Sequence, residues 1–408
     1  MAITLEQEAL TQAVAELEHQ LARQDVGLDN FILACRLKED AFAYKTGQAD
    51  LSYLTGNELQ EKSPLAAAIF QHKPDRDVLL VSQPKFAIDL LGQGKEVEPV
   101  LDDLPQIVGL KCKICDGNDQ EKVLEILTKH DAVLLDNFKL NQKVLLVLAP
   151  SIDRALAASL IVEKSAQAMV QSTCIGGYNK LPAWICLAYR KAYLTSYSKM
   201  DAKNKSLGPD DFDRQVSDRE LALRQELVAA GNRLVEENLT LGTWGNLSLR
   251  LDDKFMLITP SGLAYDRLSP YDMVRVNYQD MTHEGSLKPS IEKGFHAAIY
   301  RGHPDINAVI HTHSFNCSVF AAAGQALPIV LPEAEMTLGH KTAFVPYYKP
   351  GTDQLAKAVA SAVTDDIWAV IMGSHGMACC GADMEDVFHR THLLEKSASY
   401  YVRCHLKK

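Results

Sequence analysis

The chain has 408 residues, 47% hydrophobic and 23% charged, with a net charge of -10 at pH 7. That balance describes a folded protein of about two domains and leaves little room for extended disorder. The acidic excess argues against general affinity for nucleic acid or anionic membranes, which needs clustered Lys and Arg, and no apolar run approaches the roughly 20 residues of a membrane helix.

In chain order, the opening "MAITLEQEAL" has no signal-peptide core, so a cytoplasmic protein is expected. A first helix is predicted from Thr4, with Gln7 at capping-box spacing. "DVLLVSQP", Asp77 to Pro84, has the shape of an apolar strand. Cys112 and Cys115 in "CKIC" form the one C-x-x-C among nine scattered cysteines, and without a second pair they read as ordinary thiols. "SKMDAKNKSLGPDDFDRQV", Ser198 to Val216, is polar, carries Gly208-Pro209 and reads as a linker. Beyond it a helix opens on Ser217 with Glu220 at the same capping spacing. Short apolar strands ("KFMLITPS", "NAVIHTH", "IWAVIMGSHG") then alternate with helices ("IEKGFHAAIYRGH", "DQLAKAVASAV", "MEDVFHRTHLLEKSASYYVRCH"). This pattern predicts an α/β fold, a central sheet flanked by helices in three layers, and leaves open whether the sheet is parallel.

Three pairs of segments match in the same order at an offset of about 230 residues, the mark of a tandem duplication. "HKPDRDVLLVSQPKFAIDLLGQG" parallels "GHPDINAVIHTHSFNCSVFAAAG", and "HDAVLLDNFKL" parallels "IWAVIMGSHGM". "SLIVEKSAQAMV" parallels "HLLEKSASYYV", setting Glu163, Lys164 and Ser165 against Glu395, Lys396 and Ser397. The expected boundary lies near residue 210, dividing the chain into domains 1–205 and 206–408.

Side chains alternate along a strand, so His311 and His313 should point the same way, as a pair of metal-gripping imidazoles or as a polar strand end. His375 stands where another apolar strand runs out into a glycine-containing turn, and three such imidazoles with an acid would leave a metal an open position. Glu292, at the start of the helix leading into the histidine strand, is the candidate acid; its bland role is to favour the helix dipole.

Residues 217 to 408 resemble the class II aldolase/adducin superfamily, which includes L-fuculose-1-phosphate aldolase and L-ribulose-5-phosphate 4-epimerase. The likeness rests on "GTWGNLSLR", "LITPSGLAYDRL", "KPSIE", "HPDINAVIHTHS", "PGT" at Pro350 to Thr352 and "SHGMACCGADMEDVFHRTHLLE". It implies that His311, His313 and His375 bind a divalent ion, usually zinc, and that Glu292 is a fourth ligand or proton-transfer group. It implies a phosphate pocket at Asn246, Ser261, Gly262 and Ser290, where loop amides and hydroxyls can hold an anion without a basic patch. Three departures stand out. Ile291 replaces a second serine, Pro332 and Glu333 occupy the neighbourhood of a family tyrosine, and the sequence stops at Lys408 without a tyrosine-bearing tail.

Carried through the internal alignment, His311 faces Val81, His313 faces Gln83, His375 faces Phe138 and Glu292 faces Lys62. The first half is thus expected to be a degenerate, structural copy that cannot hold the same metal. A dimer of such fused chains could rebuild a pseudo-fourfold ring like that of the fuculose-phosphate aldolases.

The expected activity is metal-assisted aldol cleavage of a small phosphorylated ketose through a stabilised enediolate, Glu292 shuttling protons. Alternatives on the same ligands are 4-epimerisation, sugar-phosphate dehydration, and decarboxylation of an acid substrate. A non-catalytic interaction protein like adducin is the rival from another class, and the retained histidines and glutamate argue against it.

Overall fold

The computed structural model describes residues 5–24, 26–38, 40–138, 141–195, 215–240 and 243–406. The Thr4 cap, most of the Ser198 to Val216 segment with the boundary near 210, Gly242 of "GTWGN" and Lys408 lie outside these residues. Two compact units are formed, one from residues up to Val170 with Leu181–Lys191, the other from Gln171–Lys180 with residues from Ala192 onward. The short segment 171–180 joins the second unit through hydrogen bonds: the backbone N–H of Asn179 donates to Ala322 O at 2.8 Å, and Gln325 Nε2 donates to Ile175 O at 2.7 Å.

The first unit holds strands β1 (Gly27–Lys38), β2 (Ala41–Thr46), β3 (Ser52–Thr55), β4 (Val78–Gln83), β5 (Lys113–Asp116), β6 (Ala132–Phe138) and β7 (Gln142–Ala149). The second holds β8 (Asn246–Arg250), β9 (Phe255–Ile258), β10 (Val274–Asn277), β11 (Ala308–Thr312), β12 (Ala343–Val345), β13 (Ala369–Met372) and β14 (Gly376–Gly381). The sheet orders are β3-β2-β1-β4-β7-β6-β5 and β10-β9-β8-β11-β14-β13-β12, the same path traced twice, and each sheet is flanked by helices. Both sheets are mixed, with one parallel pair apiece, β5 with β6 and β12 with β13. Hydrophobic period alone left that undecided, because buried strands of either sense read as continuous apolar runs.

Register supports the internal alignment residue by residue. Val78 pairs with Ala149 and Ala308 with Gly381, so Val81 and His311 each stand fourth along matching strands. Val133 and Val370 face Leu146 and Ala378, the partners of Val81 and His311, and Phe138 and His375 lie equally far beyond them. Val81 and Phe138 belong to the apolar core of the first unit. Gln83 donates its side-chain amide to the Lys143 carbonyl at 2.9 Å, and Lys62 ends the helix Gly56–Lys62.

The "EKS" repeat has a structural meaning in both units. Glu163 accepts from the backbone N–H groups of Phe86 and Ala87 at 2.9 and 3.0 Å, opening the helix Lys85–Gly92. Glu395 accepts from those of Asn316 and Cys317 at 3.1 and 2.8 Å, opening the helix Phe315–Ala323. A carboxylate from a long helix, Ile152–Ser172 in the first unit and Met384–Leu406 in the second, thereby satisfies amides that the first turn of the shorter helix cannot.

At the start of the helix Asp218–Glu236, Ser217 accepts from the Glu220 N–H at 3.3 Å, the expected cap, and the Glu220 carboxylate holds the buried Arg224 at 2.6 Å. Cys112 and Cys115 are buried free thiols, and burial raises the pKa of both, as befits unreactive thiols. No helix among the described residues is long and apolar enough to cross a membrane.

Candidate metal centre

β11 carries its apolar run "AVI" into the sheet interior and delivers His311 near its end, with His313 just beyond. As alternation predicts, the two imidazoles face the same way, their Nε2 atoms 3.0 Å apart. His375 comes from the turn between β13 and β14, where Ser374 takes a left-handed φ of 54° and reverses the chain. Its ring stacks on His311 with centroids 4.9 Å apart. Two glycines permit this crowding. A Cβ on Gly376 would lie 2.4 Å from the Thr312 carbonyl oxygen, and one on Gly245, where φ is 81°, would lie 2.4 Å from that of His311.

Glu292 is the N-cap of the helix Lys293–Gly302, yet its side chain makes no cap hydrogen bond. The carboxylate turns to the histidines instead, Oε1 at 2.9 Å from His375 Nε2 and Oε2 at 3.1 Å from His311 Nε2. Burial favours the protonated carboxyl, but the adjacent His311 and His375 imidazoles outweigh it and hold Glu292 well below the usual carboxylate range.

The donor set fits a divalent cation. His311 Nδ1 lies 2.8 Å from the Met377 carbonyl, which can only accept, so Nδ1 carries a proton and Nε2 is the nitrogen turned to the site. Nε2 faces another imidazole nitrogen and a carboxylate oxygen, groups that a divalent cation draws together. The ligand nitrogens of His311, His313 and His375 all lie within 4.8 Å of one another, and all three residues are buried. Around a tetrahedral zinc with bonds of about 2.0–2.1 Å, such nitrogens sit about 3.3 Å apart, near the 3.0 Å between the His311 and His313 Nε2 atoms.

The loops expected at a phosphate pocket also meet here. Pro260 and Pro289 form an isolated bridge, Ser261 Oγ donates to the Pro289 carbonyl at 3.0 Å, and Gly262 adopts a left-handed φ of 76°. Ser290 Oγ accepts from the Glu292 N–H at 3.2 Å, joining this loop pair to the acid. Asn246 differs from the rest: its Nδ2 donates to Glu292 Oε2 at 3.0 Å and its Oδ1 lies 2.5 Å from His296 Nε2. Ile291 is partly exposed beside Ser290, and Glu333 is paired with Lys396 at 2.7 Å on the surface. Ser248, His296 and Tyr300 continue the polar cluster beyond Asn246, and none stands out in the sequence. Their signal is internal, because the corresponding places in the first unit hold Ala34, Ala66 and Phe70.

Residues 225–402 match the family model described as the class II aldolase and adducin N-terminal domain. An L-fuculose phosphate aldolase of Methanococcus maripaludis is 34% identical over 183 residues, 45% of this chain and 98% of the relative. A 3-oxo-tetronate 4-phosphate decarboxylase of Haemophilus influenzae is 34% identical over 192 residues, 45% of this chain and 88% of the relative. A 5-deoxy-D-ribulose 1-phosphate aldolase of Bacillus thuringiensis is 35% identical over 179 residues, 44% of this chain and 83% of the relative. With relatives of this identity spanned over most of their length, the chain belongs to the class II aldolase and adducin family, as a lyase of the aldolase type.

Proposed function

We propose that the second unit cleaves a carbon–carbon bond in a small phosphorylated ketose with a divalent ion, zinc by its donor set, held by His311, His313 and His375. The observation that carries this reading is the convergence of three buried imidazoles and the Glu292 carboxylate on one point. Bound there, the ion supplies the positive charge that bond cleavage beside a ketone requires. Glu292, ionised and aimed at the same point, moves the proton at the reacting carbon. The loop pair of Ser261, Gly262 and Ser290 cradles the phosphate, the Gly262 amide and the Ser290 hydroxyl facing it while Ser261 holds the loop through its bonds to Lys288 and Pro289. Asn246 would have to release Glu292 and His296 to bind it with its side chain, so we assign that amide to the acid.

The test is metal analysis of the purified chain beside a cleavage screen of phosphorylated ketoses. One divalent ion per chain, lost in His311→Ala together with cleavage, supports the reading; a metal-free chain that cleaves nothing defeats it in favour of an adducin-like binding role. A second reading, decarboxylation of a phosphorylated keto acid, is favoured by the Haemophilus influenzae relative and by Ile291 at the pocket. Release of carbon dioxide in the same screen selects it.

A further inference from the structure

Five buried side chains form an unbroken hydrogen-bonded line through the interior of the second unit. Tyr300 OH lies 2.8 Å from Ser248 Oγ, which lies 2.6 Å from His296 Nδ1. His296 Nε2 lies 2.5 Å from Asn246 Oδ1, and Asn246 Nδ2 donates to Glu292 Oε2 at 3.0 Å. Asn246 sets the direction of the whole line. Its amide nitrogen donates to the Glu292 carboxylate, and this turns its oxygen to His296. That oxygen only accepts, so neutral His296 carries its proton on Nε2 and leaves Nδ1 to accept from the Ser248 hydroxyl. The Ser248 oxygen is then free to accept from Tyr300.

A buried polar line costs more than an apolar filling of the same frame, because every group must be desolvated and paired. The first unit shows that the frame itself does not need it. Asn246 opposes His311 as Ile32 opposes Val81, and Ser248 opposes Val309 as Ala34 opposes Leu79. Counted back from the capping residues His303 and Lys73, His296 corresponds to Ala66, Tyr300 to Phe70 and Glu292 to Lys62. One contact fixes this correspondence: Arg250 donates to the Tyr300 carbonyl at 2.9 Å, and Arg36 donates to that of Phe70 at 2.6 Å. Ile32, Ala34, Ala66 and Phe70 all lie in the apolar core. The polar line and the histidines are thus present together in one copy and absent together from the other.

We propose that Tyr300, Ser248, His296 and Asn246 are positioning residues that fix the orientation of the Glu292 carboxylate toward the three histidines. This rests on the reading of Glu292 as the proton-transfer group. The test uses the full chain labelled with 15N-histidine, and two variants: Ser248→Ala/His296→Ala/Tyr300→Phe, which installs the residues of the first unit, and His296→Gln, which can still offer an N–H to Asn246. The nitrogen shifts of His296 should report the Nε2–H tautomer. The triple variant should keep one divalent ion per chain and a Tm within about 5 °C. Its kcat should fall about 30- to 100-fold with KM within about twofold, and His296→Gln should stay within about fivefold of the parent. An Nδ1–H tautomer overturns the proposal, as does a triple variant that cleaves like the parent or that loses kcat and Tm together with no advantage to glutamine. If the parent cleaves no substrate, the aldolase reading fails, while the tautomer still decides the line.

Discussion

Gly376 and His311 meet with no room between them: a Cβ on the glycine would lie 3.2 Å from Cε1 of the histidine and 2.4 Å from the carbonyl oxygen of Thr312. Gly376→Ala should therefore force β14 away from β11, lowering stability by about 2–3 kcal/mol and weakening divalent-ion binding. Gly302→Ala is the control, since nothing lies within 4 Å of its added carbon. Urea denaturation and chelator competition read both effects, and equal behaviour of the two variants would show that the close approach is unimportant.

Glu292→Gln keeps the shape of the acid and removes its charge and basicity. The three histidines remain, so the ion should be retained while turnover falls by about 10²- to 10⁴-fold. Loss of the ion from this variant would make Glu292 chiefly a ligand.

Glu163 gives the first unit a pH dependence of its own. Burial pushes its carboxyl up to about 7, against the lowering effect of the Phe86 and Ala87 amides. The unfolded value is about 4.3, so the folded state holds the proton more tightly. That contribution is complete below about pH 4.3 and is lost as pH rises through about 7. Urea midpoints of this unit should fall across the window, and Glu163→Gln should flatten the fall. A midpoint that rises with pH, unchanged by the substitution, contradicts the assignment.

The lysine of the repeat predicts opposite costs in its two copies. Lys164 pairs with Asp103 where the side chains are 1% and 0% exposed, and Lys396 pairs with Glu333 where they are 63% and 50% exposed. Lys164→Met should cost about 3–5 kcal/mol by removing the cation paired with a buried carboxylate. Adding Asp103→Leu should restore most of it. Lys396→Ala should cost under about 1 kcal/mol. Equal losses at the two lysines, measured by denaturation, would rule out burial as the cause.

Much of the second unit was legible because its chemistry is concentrated. Alternation alone placed His311 beside His313, and a strand running out into glycine located His375. The repeat was legible because the two units share an apolar frame: Val81 and Phe138 stand where His311 and His375 do. Sheet sense was not, since "AVIHT" and "VLLVSQ" are buried on both faces and carry no trace of neighbour direction. The roles of Ser248, His296 and Tyr300 were hidden for a different reason. A serine in a strand, a histidine in a helix and a tyrosine near its end are ordinary singly, and only folding brings them into line with Asn246. Asn246 itself was matched to the phosphate pocket by its motif, while its amide lies against Glu292.

One orienting group in this site has no side chain at all. The carbonyl of Met377 that holds the proton of His311 on Nδ1 belongs to the backbone of β14, so no side-chain substitution at Met377 removes it. Met377→Leu should leave metal binding and turnover unchanged and cost under about 1.5 kcal/mol of stability, although the backbone at this position governs which nitrogen of His311 faces the site. Backbone-directed chemistry, such as replacing the Met377–Ala378 amide by an ester to weaken the acceptor, is the route by which that contribution becomes measurable.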